Sequence, residues 1–205
     1  MLKINVRGSA MVLAVASLAG CSNTPTYPPA PAQTSAYDWN YLVGPGDSVN
    51  VFVWRNPEVS GNFPVRPDGK MTMNLVEDLP ASGKTPSQLA RDIEKALGKY
   101  IQEPIVTVIV GGGVGPFDQQ IRVVGEAAKP QALNYREKMS LIDLMISVGG
   151  LTDFAAGNKA YILRTQNGKQ TQLGVRLEDL LKGGDITANV EIRPGDVLVI
   201  PESLF

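Results

Sequence analysis

The tripeptide Pro-Gly-Asp occurs twice in this chain of 205 residues, at positions 45–47 and 194–196. Valines follow each copy at alternate positions, which is typical of a strand with one buried side. Proline sets the first turn angle, glycine takes a positive φ, and aspartate accepts hydrogen bonds from neighbouring backbone amides. The pattern therefore predicts two tight turns that each open a half-buried strand, and it assigns both aspartates a structural rather than a catalytic role.

The first half of the chain predicts several short strands. Alternating or continuous β-branched residues predict strands at 48–53 and at 104–110. Between them, residues 63–74 predict a hairpin whose turn lies at 67–69, where Pro-Asp-Gly supplies the required backbone angles. The hairpin residues expected to be buried are Val65, Met71 and Met73.

One helix is predicted between these strands. Thr85 can cap it, Pro86 suits its first position, and Gln88 completes a Thr-x-x-Gln capping box. Apolar residues then recur at helical spacing, which indicates one buried face. The residues predicted to share that face are Leu89, Ile93, Ala96, Leu97 and Tyr100.

The second half repeats this alternation of strands and short helices. Residues 121–125 predict a strand that turns near 129–130 into another short strand. Ser140 and Asp143 form a second capping box, and the helix that it opens is predicted to end at a Gly-Gly pair. Asn-Gly at 167–168 predicts a tight hairpin. A short helix and the second Pro-Gly-Asp strand follow, so the fold class is predicted to be α+β.

A glycine cluster separates the two halves, at residues 111–120. Phosphate-binding loops of this composition are followed by a helix N-terminus, often with Lys-Ser/Thr. Here Pro116 leads instead into another predicted strand, so nucleotide binding is not expected. The segment is predicted to be a linker loop or a long hairpin.

The N-terminus has the layout of a bacterial secretory signal. Lys3 and Arg7 precede an apolar run of roughly a dozen residues, too short for the ~20 residues that a membrane span needs. The run ends in a segment that resembles the bacterial lipobox, so residues 1–20 are predicted to be a lipoprotein signal peptide. Cys21 is the predicted lipid attachment site, although a buried thiol is the alternative. The residues predicted to be recognised by the signal peptidase are Leu18, Ala19 and Gly20.

Residues 21–37 are rich in Pro, Ser, Thr and Ala and carry no charge. Such a composition is typical of a semi-extended tether, and its last sixteen residues would reach roughly 50 Å at ~3.1 Å per residue. The alternative is an ordered strand that wraps around the folded body, with Tyr27 and Tyr37 docked.

Composition excludes several classes of function. The chain has 19 basic and 20 acidic residues, no histidine and one cysteine. Nucleic-acid binding is not expected, because no basic run is present. The absence of histidine removes imidazole-based triads and histidine-ligated zinc. No catalytic, cofactor-binding or metal-ligating residues are predicted, and the chain is not expected to be an enzyme.

The order of these motifs resembles a known family. Residues 41–79 and 85–110 resemble the N-terminal domain of the outer-membrane polysaccharide export family. Residues 121–135, 139–164 and 192–201 are similar to its soluble-ligand-binding, or SLBB, domain. The resemblance implies a β-rich polysaccharide export domain at 38–110, a linker loop at 111–120, and a β-grasp-like SLBB domain at 121–205.

The resemblance also implies a function. Members of this family are lipoproteins of capsule or exopolysaccharide secretion systems, and they assemble as homo-oligomeric rings on the periplasmic side of the outer membrane. Polysaccharide passes through the ring, and an inner-membrane polysaccharide co-polymerase docks beneath it. Ser22 follows the lipidated cysteine instead of the aspartate that retains lipoproteins in the inner membrane, so outer-membrane delivery by a lipid anchor is expected.

Two departures from longer relatives concern the pore. Those relatives have two SLBB domains and end in an amphipathic helix that crosses the outer membrane, whereas this sequence has one SLBB match and ends four residues after Pro201. Either a separate outer-membrane β-barrel partner provides the pore, or the ring is a periplasmic collar.

Two other functions stay open. The first is a periplasmic lipoprotein that binds carbohydrate or peptidoglycan without transport, with aromatic residues stacking on sugars. Its candidate residues are Trp39, Trp54, Tyr135 and Tyr161. The second is a glycoside-cleaving enzyme with a carboxylate pair. The acidic residues considered for it are Asp47, Glu58, Asp68, Glu77 and Asp78, most of them in turn contexts.

Overall fold

A computed structural model of the chain describes residues 27–31, 39–112, 115–166 and 168–203. It contains two hydrophobic cores that follow one another along the chain. The first is built from residues between Val43 and Val106, and the second from residues between Ile121 and Ile200. Strands and short helices contribute to both cores, so the predicted α+β class is confirmed.

The N-terminal unit has a three-stranded antiparallel sheet in the order β2-β1-β5, a two-stranded sheet, β3-β4, and one helix, α1. Valines at alternate positions of β1 are buried, as predicted. The elements are β1 (Ser48–Val53), β2 (Gly61–Pro64), β3 (Lys70–Met73), β4 (Val76–Pro80), α1 (Pro86–Leu97) and β5 (Val106–Gly111).

The hairpin predicted at 63–74 is only partly correct. Its turn is present, closed by the Arg66 N–H donating to the carbonyl of Lys70 at 2.8 Å, and Met71 is fully buried. However, β2 pairs with β1, and β3 pairs with β4, a strand that the sequence did not predict. The chain therefore passes from one sheet to the other at this turn, because β2 pairs with β1 and β3 pairs with β4.

The capping box of α1 is confirmed. Thr85 Oγ1 accepts from the N–H of Gln88, and Gln88 Oε1 accepts from the N–H of Thr85. Three of the predicted face residues are fully buried: Leu89, Ile93 and Leu97. The prediction for Tyr100 is wrong, since the helix ends at Leu97 and leaves the Tyr100 side chain 63% exposed in the following turn.

The C-terminal unit has a five-stranded sheet in the order β7-β6-β10-β8-β9. The last strand, β10, lies parallel to β6 and antiparallel to β8, between two hairpins. Insertion of the final strand between two hairpins, with a helix after the first, is the β-grasp arrangement. The elements are β6 (Ile121–Gly125), β7 (Ala132–Leu133), α2 (Leu141–Ser147), β8 (Tyr161–Gln166), β9 (Lys169–Gly174), α3 (Leu177–Leu181) and β10 (Val197–Ile200).

The second capping box, at the start of α2, is also confirmed. Asp143 Oδ2 accepts from the N–H of Ser140, and Ser140 Oγ accepts from the N–H of Asp143. The hydroxyl and N–H of Ser140 hold the pKa of Asp143 below its usual range, because both donate to the charged carboxylate. Gly149 and Gly150 then end the helix with positive φ values of 79° and 88°.

Part of the predicted tether lies on the C-terminal sheet. Residues 27–31 run parallel to the end of β9, where the N–H of Gly174 donates to the carbonyl of Pro28 at 2.8 Å. The N–H of Ala30 donates back to the carbonyl of Gly174 at 3.1 Å. The Tyr27 ring packs on Tyr161 with 4.8 Å between centroids. Tyr27 therefore docks on the folded body, as in the alternative in which this segment is an ordered strand.

Several predictions fall outside the described residues. They are the signal peptide at 1–20 with Leu18, Ala19 and Gly20, the lipid attachment site Cys21, and Tyr37 and Asn167. Within the part of the chain that is described, no helix is long and apolar enough to cross a membrane.

Candidate functional site

The first Pro-Gly-Asp turn lies where the two units meet. Asp47 is completely buried, and it accepts hydrogen bonds from the N–H of Gly44 at 2.7 Å and the N–H of Gly115 at 3.0 Å. The hydroxyl of Tyr41 also donates to Asp47 Oδ2. Burial, together with the hydrogen bond to the Asp47 carboxylate, raises the pKa of Tyr41. One carboxylate therefore ties a turn of the first unit to the segment that leads into the second.

The backbones at this junction are in close contact. A Cβ atom on Gly44 would lie 2.2 Å from the carbonyl carbon of Gly115, so only glycine fits there. Gly115 and Pro116 are both buried, although the sequence predicted them to lie in a linker loop. The part of that loop next to the second unit is thus packed against the first unit.

The second Pro-Gly-Asp turn has a different partner. Asp196 is 1% exposed and forms a two-point ion pair with Arg164 of β8, at 2.9 Å from Nε and 2.7 Å from Nη2. It also accepts from the N–H of Arg193 at 2.8 Å. Both turns therefore confirm the prediction that the aspartates bond nearby backbone amides.

Three aromatic rings connect the two cores. Trp39 packs against the C-terminal core and Tyr41 against the N-terminal core. The Trp39 ring is nearly perpendicular to both tyrosines, 6.2 Å from the centroid of Tyr41 and 5.1 Å from that of Tyr135. Such edge-to-face pairs stabilise aromatic clusters. Two of the four aromatic residues proposed for sugar stacking, Trp39 and Tyr135, are thus brought together.

The other two proposed aromatics lie elsewhere. Trp54 is 53% exposed on the outer side of β1, beside Phe52. Tyr161 is half-buried beneath Tyr27. Neither belongs to the junction, so the four residues do not form a single sugar-binding surface.

A cleft of about 460 Å³ opens beside the aromatic cluster, between the two units. Its size lies in the range typical of small-molecule sites, roughly 300–1,000 Å³. The residues that line it are Tyr41, Val110, Gly112, Asn134, Tyr135 and Arg136. Of these described lining residues, Arg136 alone carries a charge.

Three of the carboxylates considered for glycoside cleavage are held in structural contacts. Asp47 is held in the junction, and Arg66 lies between Asp68 and Asp78, with its Nη1 2.7 Å from Asp78 Oδ1. The hydrogen bonds from Arg66 hold the pKa of Asp68 below its usual range. A general acid in this chemistry needs a raised pKa instead.

No sequence pattern indicates the cleft itself. Tyr41, Asn134 and Arg136 were not singled out, because none belongs to a motif with a fixed spacing. They meet only where the end of β5 and the segment that follows β7 line the same cleft. A cluster of this kind depends on long-range packing.

Comparison with known proteins matches the same two units. Residues 35–111 match the family described as Polysaccharide biosynthesis/export protein, and residues 120–182 match the SLBB domain. The first match ends with β5, and the second begins one residue before β6.

Similar whole proteins are named for export. The chain is 24% identical over 187 residues to the EPS I polysaccharide export outer membrane protein EpsA of Ralstonia nicotianae, covering 79% of this chain and 47% of EpsA. It is 26% identical over 179 residues to the exopolysaccharide production protein ExoF of Rhizobium meliloti, covering 80% of this chain and 41% of ExoF. The chain thus spans less than half the length of these relatives. The two matches follow the order of the two units, so the chain belongs to the polysaccharide export family, with an export domain followed by an SLBB domain.

Proposed function

We propose that this protein is a component of an exopolysaccharide or capsule secretion system, anchored by a lipid on Cys21 to the periplasmic face of the outer membrane. The observation that carries the proposal is the paired match to an export domain and an SLBB domain, over residues 35–111 and 120–182. The names of the similar proteins, which refer to polysaccharide export and the outer membrane, support it. Proteins of this family are transport proteins and not enzymes.

The proposal includes assembly into a ring that forms part of the translocation channel. An apolar patch on the outer face of the N-terminal sheet supports assembly. Its residues are Phe52, Trp54, Ile105 and Ile109, each between 46% and 60% exposed. Phe52 and Ile109 lie on the paired strands β1 and β5. Trp54 follows β1 and Ile105 precedes β5, and the N–H of Trp54 donates to the carbonyl of Ile105 at 2.9 Å. Contiguous exposed apolar surface on a folded protein is typical of an interaction site.

The proposed partners follow from the same role. A growing polysaccharide is the cargo, and an inner-membrane co-polymerase delivers it. Either a separate outer-membrane β-barrel completes the path, or the ring is a periplasmic collar. The support for the cargo and the co-polymerase is the family resemblance, together with the names of the similar proteins.

A second candidate function is carbohydrate binding without transport. The cleft of about 460 Å³ beside Trp39 and Tyr135 favours it, because aromatic rings and polar groups are the usual components of sugar sites. The two candidates differ in one consequence. Loss of a transporter stops the appearance of polymer outside the cell, whereas loss of a simple binding protein does not.

The test is complementation of cells that lack this protein. External and periplasmic polysaccharide are measured after return of the wild type, Cys21→Ser, or Ser22→Ala as the matched control. We expect the wild type and Ser22→Ala to restore external polymer, and Cys21→Ser to fail because the protein no longer stays at the membrane. Ser22→Asp is expected to fail as well, by retention in the inner membrane. Unchanged external polymer in the deletion strain would contradict the transport role.

A further inference from the structure

We propose that the cleft between the two units binds a carboxylate-bearing sugar residue, of the uronic acid class, in the transported polymer, with Arg136 holding the carboxylate. The inference rests on the proposed function for the identity of the polymer. The binding itself rests on the cleft.

The first argument is charge. The guanidinium of Arg136 makes no ion pair with a carboxylate among the described residues, whereas Arg66, Arg164 and Arg176 each do. Arginine presents its donors in a planar fork that matches a carboxylate at two points. An exposed arginine at the wall of a cleft is therefore available to an acidic ligand.

Glu137 and Asp143 border a second depression together with Arg136, but neither forms an ion pair with it among the described residues. The charge of Asp47 does not oppose the assignment either. Asp47 lies behind the cleft wall, fully buried, and its oxygens accept from the backbone N–H groups of Gly44 and Gly115 and from the hydroxyl of Tyr41. Because these donors are directed at the carboxylate, they offset much of its charge. The ligand would meet the ring of Tyr41 and not the carboxylate.

The second argument is the composition of the remaining wall. The hydroxyl of Tyr41 donates a hydrogen bond to Asp47, and the Tyr41 ring lines the cleft. Asn134 is exposed and adds a polar side chain to the wall. Tyr135 is only 8% exposed and supports the wall through its contact with Trp39. An aromatic residue and a guanidinium on an open wall fit an acidic pyranose better than a neutral apolar molecule.

The position of the cleft agrees with a role along the path of the polymer. Its lining comes from both units, with Tyr41, Val110 and Gly112 on one side and Asn134 and Arg136 on the other. It is open to solvent on a partly exposed surface, so a chain can enter sideways without threading. Weak binding, in the millimolar range, is expected, because a transported polymer has to leave each site that it meets.

The test uses the full-length mature protein and two defined probes of equal length. A hexasaccharide of α-1,4-linked galacturonic acid is titrated against the wild type by calorimetry, and maltohexaose serves as the neutral probe. We expect the acidic probe to bind more tightly, and Arg136→Gln to weaken it about fivefold to tenfold. The same substitution is expected to leave maltohexaose unchanged. Arg176→Gln is the matched control, since it removes the same charge from an arginine outside the cleft.

Three results would overturn the inference. They are equal binding of both probes, unchanged affinity of Arg136→Gln for the acidic probe, and equal weakening by Arg176→Gln. The complementation experiment separates this failure from that of the proposed function. If deletion stops export and the probes do not distinguish Arg136→Gln from the wild type, the cleft assignment is wrong and the transport role stands. If the acidic probe binds as expected and deletion leaves export unchanged, the binding stands and the transport role is wrong.

Discussion

The two Pro-Gly-Asp turns have the same local geometry and different distant partners. In both, glycine has a positive φ, 90° at Gly46 and 82° at Gly195. In both, the aspartate N–H donates to the carbonyl three residues earlier at 3.1 Å, and the carboxylate accepts from the N–H of that same residue. These contacts follow from the tripeptide alone, which is why they were predictable.

The remaining bonds of each carboxylate come from outside its turn. Asp196 faces the guanidinium of Arg164, 32 residues away, in the centre of the C-terminal unit. Asp47 faces neutral donors, the hydroxyl of Tyr41 and the N–H of Gly115, at the junction. The turn at Asp196 thus stabilises the C-terminal unit internally, whereas the turn at Asp47 connects the two units. The tripeptide therefore encodes the hydrogen bonds within its own turn, and the rest of the fold decides which group outside the turn the carboxylate meets.

The largest effect is expected from breaking the buried ion pair. Arg164→Met should destabilise the C-terminal unit by about 3–5 kcal/mol, because Asp196 is left buried with an unpaired charge. The free energy of unfolding is measured in urea by the fluorescence of Trp39, with Trp54 replaced by phenylalanine in all variants.

Two controls accompany this measurement. Arg176→Met removes two surface ion pairs, with Asp179 and Asp185, and should cost no more than about 1 kcal/mol. Addition of Asp196→Asn to Arg164→Met should recover part of the loss. A loss no greater than that of Arg176→Met would mean that the charge on Asp196 is satisfied by the backbone.

A smaller effect is expected from the glycines of the two turns. An alanine at Gly46 would cost about 1–2 kcal/mol for the positive φ, and its Cβ meets no described atom within 4 Å. At Gly195 the Cβ would lie 2.5 Å from the carbonyl oxygen of Asp118, so Gly195→Ala should cost roughly 1 kcal/mol more. Urea midpoints of the two variants measure the difference. Equal losses would show that the backbone at Asp118 moves away freely.

The smallest effect is expected from the hydroxyl that bonds Asp47. Tyr41→Phe should cost about 1 kcal/mol near neutral pH, by loss of one hydrogen bond to a buried carboxylate. Burial and Asp47 raise the pKa of Tyr41, so the folded state holds the phenol proton more tightly than the unfolded state does. This contribution is complete below the unfolded pKa of about 10 and is lost as the pH rises above it.

The stability of the wild type should therefore fall relative to that of Tyr41→Phe between about pH 9 and about pH 11. Tyr100→Phe, at a 63% exposed position, is the matched control and should follow the wild type throughout. A constant difference across this pH range would show that Tyr41 ionises as easily in the folded state as in the unfolded state.

Local signals account for most of the fold that was predicted. The caps at Thr85 and Ser140 involve residues three positions apart, and their bonds were fixed by sequence spacing. β4 was missed because its turn places Leu75, a poor turn residue, at a φ of 69°, and because its strand contains Glu77 and Asp78. No local rule predicts such a strand, since its partner β3 supplies the stability.

The candidate site was likewise predictable only in part from local signals. Trp39 and Tyr135 were named as sugar-stacking candidates for their ring chemistry, together with two aromatics that lie elsewhere. Arg136 and Tyr41 had no pattern to distinguish them from other exposed or aromatic residues. What assembles them is the packing of Gly44 against Gly115, a contact between positions 71 residues apart.

The pairing of Pro28 and Ala30 with Gly174 fixes how far the body can move from its proposed anchor. From Cys21 to Tyr27 there are six covalent steps, which span about 20 Å when fully extended. With a lipid on Cys21, the free end of β9 would stay within that distance of the bilayer surface. Two backbone hydrogen bonds would thus shorten the reach of the anchor to less than half of the roughly 50 Å expected from the composition of the tether.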